Sequence, residues 1–175
     1  MSTGGKILVP VDFSQDSASG LKFALAVAQK TDAEVVVLYV AQKDEADSFL
    51  DIVAMMEGAP MLNMPARIPV DKLLREKALD LYNFIEKVVR NPGRVKIRRK
   101  VAFGNKAEKI LETANEELID LVVLTFRKQP YFRYLMARAR FFRVIVRMPC
   151  PVLLTPALDE GWPRFGTPGF SLFAG

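Results

Sequence analysis

Histidine is absent from this chain of 175 residues, and its absence removes several classes of active site. Histidine is the commonest general base at neutral pH and the commonest metal ligand, and it activates the nucleophile in Ser–His and Cys–His arrangements. A zinc site without histidine would need four cysteines or several carboxylates, and the sequence has no such cluster. The sequence therefore predicts a binding protein with no metal site rather than an enzyme.

The chain also has little cysteine and no long apolar run. Cys150 is the single cysteine and lies between two prolines, so no disulfide can form within the chain. A lone thiol suits a reducing compartment. No stretch reaches the ~18 apolar residues that span a bilayer, and the first apolar run, Ile7 to Val11, is too short for a secretory signal. These features predict a cytoplasmic protein.

Apolar runs alternate with helical patterns along the chain. Strands are predicted at Lys6–Val11, Ala33–Val40, Val95–Phe103, Ile119–Thr125 and Val152–Thr155. Helical stripes are predicted at Ala18, Leu21, Leu25 and Ala28, at Leu74, Ala78, Leu81, Ile85 and Val88, and at Ala107, Ile110, Leu111 and Ala114, with a fourth helix over Ala139–Arg147. Strands that alternate with helices predict an α/β fold with a doubly wound parallel sheet.

Local signals refine this plan. Ser14 is a candidate N-cap for the first helix, and Asn105 and Glu108 form a capping pair for the third. Residues 95–103 alternate apolar with basic side chains, which is typical of an edge strand with one face in water.

One segment interrupts the predicted domain of residues 1–156, and another follows it. The insertion Asp44–Val70 holds four of the seven methionines, which form either a pliable partner surface or lid, or an amphipathic helix packed on the domain. Residues 157–175 form a tail rich in Gly, Pro and aromatic residues that includes Trp162, the single tryptophan. The tail is either disordered or an arm that docks its aromatics on a neighbour.

Three stretches resemble the universal stress protein family: Ile7–Ser14 (ILVPVDFS), Asp120–Leu124 (DLVVL) and Pro149–Leu154 (PCPVLL). Val101–Gly104 (VAFG) also resembles the turn after the third strand of that family. The resemblance covers roughly residues 5 to 156 without the insertion. It implies a Rossmann-like sheet of five strands in the order 3-2-1-4-5, like that of the adenine nucleotide alpha hydrolases.

In such a sheet, the first and fourth strands are neighbours, and a ligand crevice opens where they end. The resemblance places Asp12 and Thr125 there, beside Val101 and Gly104. Members that hold ATP continue with Gly, two residues, Gly, nine residues, Gly and Ser or Thr, because glycines let backbone amides approach phosphates. This chain keeps the spacing but replaces those residues, in order, with Thr125, Lys128, Arg138 and Ala139.

Two interpretations of this degenerate crevice stay open. Lys128 and Arg138 could replace the amides as side-chain cations, or these long side chains and neighbouring aromatics could fill the phosphate space. Asp12 could contact a ligand, or it could cap the first helix or pair with an arginine. The filled site is favoured, so no cofactor is expected, with ATP as the alternative.

Residues 126–147 carry seven basic and no acidic residues, interleaved with six aromatics. That composition suits nucleic acid, an anionic membrane or an acidic protein partner. However, Arg140, Arg143 and Arg147 share one helical face, as in a solvated helix, so nucleic-acid binding is not expected. The sequence predicts a regulatory stress-response protein without enzymatic activity, acting through an unknown protein partner. The resemblance implies a homodimer that pairs Val152–Thr155, and a nucleotide-binding or phosphorylated-ligand-binding protein is the alternative.

Overall fold

Five parallel strands form one sheet in a computed structural model that describes residues 4–45, 67–89, 92–126 and 145–156. The strands are β1 (Lys6–Val11), β2 (Glu34–Ala41), β3 (Ile97–Phe103), β4 (Leu121–Phe126) and β5 (Val152–Pro156). Their order is β3-β2-β1-β4-β5, and every neighbouring pair is parallel. The predicted fold class and strand order are confirmed.

Three helices cover the sheet within the described residues: α1 (Gln15–Thr31), α2 (Arg67–Val88) and α3 (Lys106–Glu116). The α1 and α2 helices pack on one face of the sheet, and α3 packs on the other with Ile145 and Met148. Two apolar clusters result, one on each face. Because β1 and β2 contribute alternate residues to both clusters, they are buried almost throughout.

The predicted helix starts are confirmed by their hydrogen bonds. The Ser14 hydroxyl oxygen accepts a hydrogen bond from the Ser17 backbone N–H at 3.2 Å. The Asn105 side-chain oxygen accepts from the N–H groups of Ala107 and Glu108 at 3.0 and 3.2 Å. Each side chain satisfies donors that the first turn of a helix leaves unpaired.

The inner face of α1 is the predicted one, and that of α2 differs from the prediction at Ala78. Leu74 and Val88 are partly buried and pack against the core, as predicted. All four predicted residues of α1 are buried. In α2, Leu73, Leu81 and Ile85 are buried, whereas Ala78 is exposed. The helix also begins at Arg67, so the last residues of the predicted insertion belong to it. The α2 helix is therefore longer than predicted, and Leu73, which the prediction missed, contributes to its inner face.

The β3 strand lies at the edge of the sheet, and its basic face is partly in water, as predicted. The side chains of Lys96 and Arg98 keep 75% and 41% of their surface exposed. Arg98 also lies 2.7 Å from a carboxylate oxygen of Glu34 on β2 and 2.9 Å from one of Glu117, just after α3. These ion pairs, which the prediction did not include, join the β3 edge to β2 and to the end of α3.

Several predicted features fall outside the described residues. These are residues 46–66 of the insertion, residues 127–144 with most of the predicted fourth helix, and the tail from residue 157. Ile145 and Val146 are helical, as predicted for the end of that helix. Among the helices that the structure describes, none combines the length and apolar character needed to cross a bilayer.

Candidate functional site

The pairing between β1 and β4 is short. The β1 strand pairs with β2 over all six of its residues, but its register with β4 includes only Ile7 with Leu121 and Leu8 with Val122. The Lys6 carbonyl accepts a hydrogen bond from Asp120, so the backbone groups of every second residue of β1 face β4. Pro10 is one of these residues and has no N–H to continue the ladder. The paired register therefore ends before the carboxyl ends of the two strands, where a parallel sheet of this order binds ligands.

Asp12 follows β1 at this end of the sheet and organises the turn into α1. One of its carboxylate oxygens accepts hydrogen bonds from the backbone N–H of Ser14, at 3.1 Å, and from the Ser14 hydroxyl. Its own N–H donates to the Ser17 hydroxyl at 3.4 Å. Ser14 is thus the N-cap of α1, and Asp12 positions that cap rather than capping the helix itself.

The Asp12 carboxylate is held in its charged form. Partial burial raises its pKa, but the hydrogen bonds from Ser14 and the positive charge of Lys106 outweigh this, so its pKa lies below the usual value. Lys106 is the first residue of α3. A carboxylate and an ammonium group therefore lie near each other at the carboxyl end of the sheet, where they could bind a polar or charged ligand.

Thr125 lies near the end of β4, at the position where the glycine motif begins in relatives that hold ATP. Its side chain packs against α1. Gly20 of α1 approaches it so closely that a Cβ atom on Gly20 would lie 1.9 Å from the Thr125 hydroxyl oxygen. That oxygen lies 3.5 Å from the hydroxyl oxygen of Thr155 on β5. The Thr125 side chain thus fills the space between α1 and β5. Lys128, Arg138 and Ala139 lie outside the described residues.

Val101 and Gly104 occupy different environments. Val101 lies inside β3, opposite Tyr39, and its side chain packs against the core. The β3 strand ends at Phe103, as predicted, and Val101 therefore lies within it, two strands away from β1. Gly104 makes the turn, with a φ of +136° that favours glycine, and its N–H donates to the Ala41 carbonyl at 2.9 Å.

An aromatic cluster that sequence reasoning missed lies beside Asp12. The rings of Phe13 and Tyr39 stack with centroids 4.3 Å apart, and Phe84 of α2 lies 5.5 Å from Phe13. The Tyr39 hydroxyl donates to Glu45, and burial together with this carboxylate raises its pKa, so the phenol is neutral at physiological pH. Tyr39 is the one aromatic residue of β2, and that isolation was the available sequence signal.

The described part of the chain contains no group of three residues able to hold a metal ion. The carboxyl end of the sheet instead combines a carboxylate, an ammonium group and hydroxyls. Such groups suit the binding of a ligand by hydrogen bonds and charge.

Residues 4–156 match the sequence model of the universal stress protein family. The chain belongs to the universal stress protein family. Universal stress protein MJ0531 of Methanocaldococcus jannaschii is 27% identical over 152 residues, which cover 85% of this chain and 80% of that protein.

Solved structures share the fold of this universal stress protein at low sequence identity. The structure of protein MJ0577 has a TM-score of 0.61 and 21% identity, and the match covers 90% of this chain and 99% of that one. A universal stress protein in complex with cAMP has a TM-score of 0.55 and 18% identity, with 90% and 100% covered. At these identities the likeness shows the fold.

The contact between Gly20 and Thr125 predicts a strong coupling between these positions. Alanine at Gly20 gains about 1 kcal/mol of helix propensity, but the overpacking costs about 1–3 kcal/mol. We therefore expect Gly20→Ala to lower the melting temperature by a few degrees in the wild type and by clearly less in a Thr125→Ala background, where the Cβ of residue 125, at 3.2 Å, is the remaining close contact. Thermal unfolding of the four proteins measures the coupling, and additive effects would contradict the contact.

The depressed pKa of Asp12 predicts a pH-dependent contribution to stability. Since the folded pKa lies below the unfolded one, the stabilisation is complete above the unfolded pKa and is lost as pH falls through the folded pKa. Asp12→Asn retains an oxygen for Ser14 and removes only the charge. It should destabilise the protein by up to about 1 kcal/mol at pH 7 and by nearly nothing at pH 2 to 3. Urea unfolding at both pH values tests this, and an equal loss at both would exclude a role for the charge.

Proposed function

We propose that this universal stress protein is a non-enzymatic regulatory protein that does not bind ATP and acts as a dimer through protein partners. The packing of Thr125 against Gly20 is the observation that supports the proposal most directly. It gives the first position of the glycine motif a structural role that a glycine could not fill. The side chain occupies space between α1 and β5 at the carboxyl end of β4.

Phosphate binding needs backbone amides that approach the ligand closely, and glycine allows that approach because it has no Cβ. Replacement of three glycines and a hydroxyl residue removes this arrangement from the motif. Lys128 and Arg138 add two positive charges at positions where ATP-holding relatives have glycine. Exposed charges are screened by salt, however, and lack the fixed geometry of an amide nest.

Dimerisation is proposed from the exposed edge of the sheet. The β5 strand pairs only with β4 among the described residues, and Leu153 on β5 keeps 37% of its surface exposed. An apolar edge strand invites pairing with another strand. A second copy of the chain, paired through Val152–Thr155, would bury both the edge and Leu153.

A nucleotide or phosphorylated ligand in the crevice is the second candidate. The end of the β1–β4 register at Leu8 and Val122 favours it, because the backbone beyond that point and the charges of Asp12 and Lys106 meet at the carboxyl end of the sheet. The related structure described as a complex with cAMP shows that one member of this fold holds a nucleotide with a single phosphate. Such a ligand would need fewer phosphate contacts than ATP.

Calorimetric titration with Mg-ATP at physiological salt tests the main proposal. We expect no binding up to about 1 mM by the wild type, because the amide approach to the phosphates is lost. A variant with Thr125→Gly, Lys128→Gly, Arg138→Gly and Ala139→Ser should gain measurable affinity. Micromolar affinity of the wild type would overturn the proposal, and a parallel titration with cAMP tests the second candidate.

Sedimentation of Leu153→Lys tests the dimer. The wild type should be dimeric at micromolar concentration, and the substitution should raise the dimer dissociation constant at least tenfold, or about 1.4 kcal/mol, by placing two like charges in the interface. Leu79→Lys is the matched control, since Leu79 is an exposed leucine on α2, away from the β5 edge. A monomeric wild type, or equal effects of both substitutions, would contradict pairing through β5.

A further inference from the structure

The β3 strand leaves one side of its backbone without a strand partner in the described part of the chain. The Val35 N–H donates to the Lys96 carbonyl at 2.9 Å. The Gly104 N–H donates to the Ala41 carbonyl, also at 2.9 Å, so every second residue from Lys96 to Gly104 bonds to β2. The residues between them direct their N–H and C=O groups away from the sheet: Ile97, Arg99, Val101 and Phe103. These groups form a template for a further strand.

The side chains along this edge carry an excess of positive charge. Residues 94–100 contain five basic residues and no acidic one. Among the described residues, three carboxylates lie within ion-pair distance of these cations, namely those of Glu34, Glu116 and Glu117. Five cations against three carboxylates leave an excess of two positive charges. The described part of the chain provides no carboxylate within that distance of Arg94 or Arg99.

Arg99 combines this charge with the outward-facing backbone. Its side chain is exposed, and its guanidinium carbon lies 4.9 Å from the centroid of the Tyr82 ring on α2. The ring attracts the cation and helps to hold it in place, but it does not neutralise the charge. Tyr82 itself keeps 43% of its surface exposed. Arg99 therefore offers a positioned cation, an N–H and a C=O at one point of the edge.

We propose that β3 binds an extended acidic segment of a partner protein as a sixth strand of the sheet. Main-chain hydrogen bonds to the outward-facing residues supply the pairing, as in other cases of strand addition. The carboxylates of the segment pair with Arg99 and with Lys96, whose side chain keeps 75% of its surface exposed. This inference rests on the proposed action through protein partners and assigns the partner its chemistry and its docking surface.

The charge and the backbone together select this occupant. A second copy of β3 is disfavoured, because it would bring the same basic residues against each other. Nucleic acid would neutralise the charge, but it binds cations mainly through its phosphates and would leave the N–H and C=O groups of the edge without strand partners. An acidic strand satisfies both.

Fluorescence anisotropy with labelled peptides tests the proposal. The first probe is a peptide of about eight residues that alternates Glu with Val, long enough to cover β3. The second has Lys in place of Glu, and the third is the Glu peptide with every backbone nitrogen methylated. The wild-type protein should bind the first probe alone, because lysines are repelled by the edge and methylated nitrogens cannot donate to it.

Charge reversal at Arg99 locates the site. Arg99→Glu should weaken binding of the Glu peptide at least tenfold, because it replaces an attraction with a repulsion. Arg147→Glu is the matched control, since Arg147 is an exposed arginine shortly before β5, and it should change the affinity less than twofold. Melting temperatures confirm that both variants fold, and the three peptides still decide the matter on the wild type if one does not.

Four results would overturn the proposal. The first is the absence of binding of the Glu peptide up to about 1 mM. The others are equal binding of the methylated peptide, equal weakening by the two substitutions, and tighter binding of an oligothymidylate of equal charge, which would assign the edge to nucleic acid. Neither dimerisation through β5 nor the lack of ATP binding depends on Arg99. Failure of the peptide experiment would therefore leave the results of sedimentation and of the Mg-ATP titration standing.

Discussion

The burial of β1 on both faces is the constraint on which the rest of the structure depends. Ile7 and Val9 pack under α1 and α2, while Leu8 packs under α3, and all three have at most 3% of their surface exposed. This strand must therefore lie inside the sheet, with β2 on one side and β4 on the other. Its position brings the turn at Asp12 beside the end of β4 and so creates the crevice. The candidate site is a consequence of where the core places its central strand.

Much of this arrangement could be predicted because buried segments have a recognisable pattern of apolar residues. Strands covered on both faces are continuously apolar, and β2 is recognised by that property alone. The alternation of apolar and basic residues in β3 correctly indicates an edge strand with one face partly in water. It does not show that Arg98 pairs with Glu34 and Glu117. Those partners come from β2 and from the end of α3, so they are apparent only after folding.

The site was harder to predict than the fold, because its contacts join residues that are distant in the sequence. The loss of glycine at Thr125 is visible in the sequence, but its contact with Gly20 joins two distant segments and appears only after folding. The role of Asp12 in positioning Ser14 is local and could be anticipated in part. Ala78 was misplaced because small apolar residues occur on both faces of a helix.

The conformation of Phe13 gives Tyr39 an influence on the turn before α1. Phe13 has a φ of +62°, and a non-glycine residue in this left-handed region costs about 1–2 kcal/mol. Its stacked ring contact with Tyr39 contributes about 0.5–1.5 kcal/mol, which offsets most of that cost. The backbone turn that carries Asp12 is thus balanced against a ring in the neighbouring strand. Loss of the stacking would leave the strain at Phe13 uncompensated, so the turn that precedes α1 depends in part on a side chain of β2.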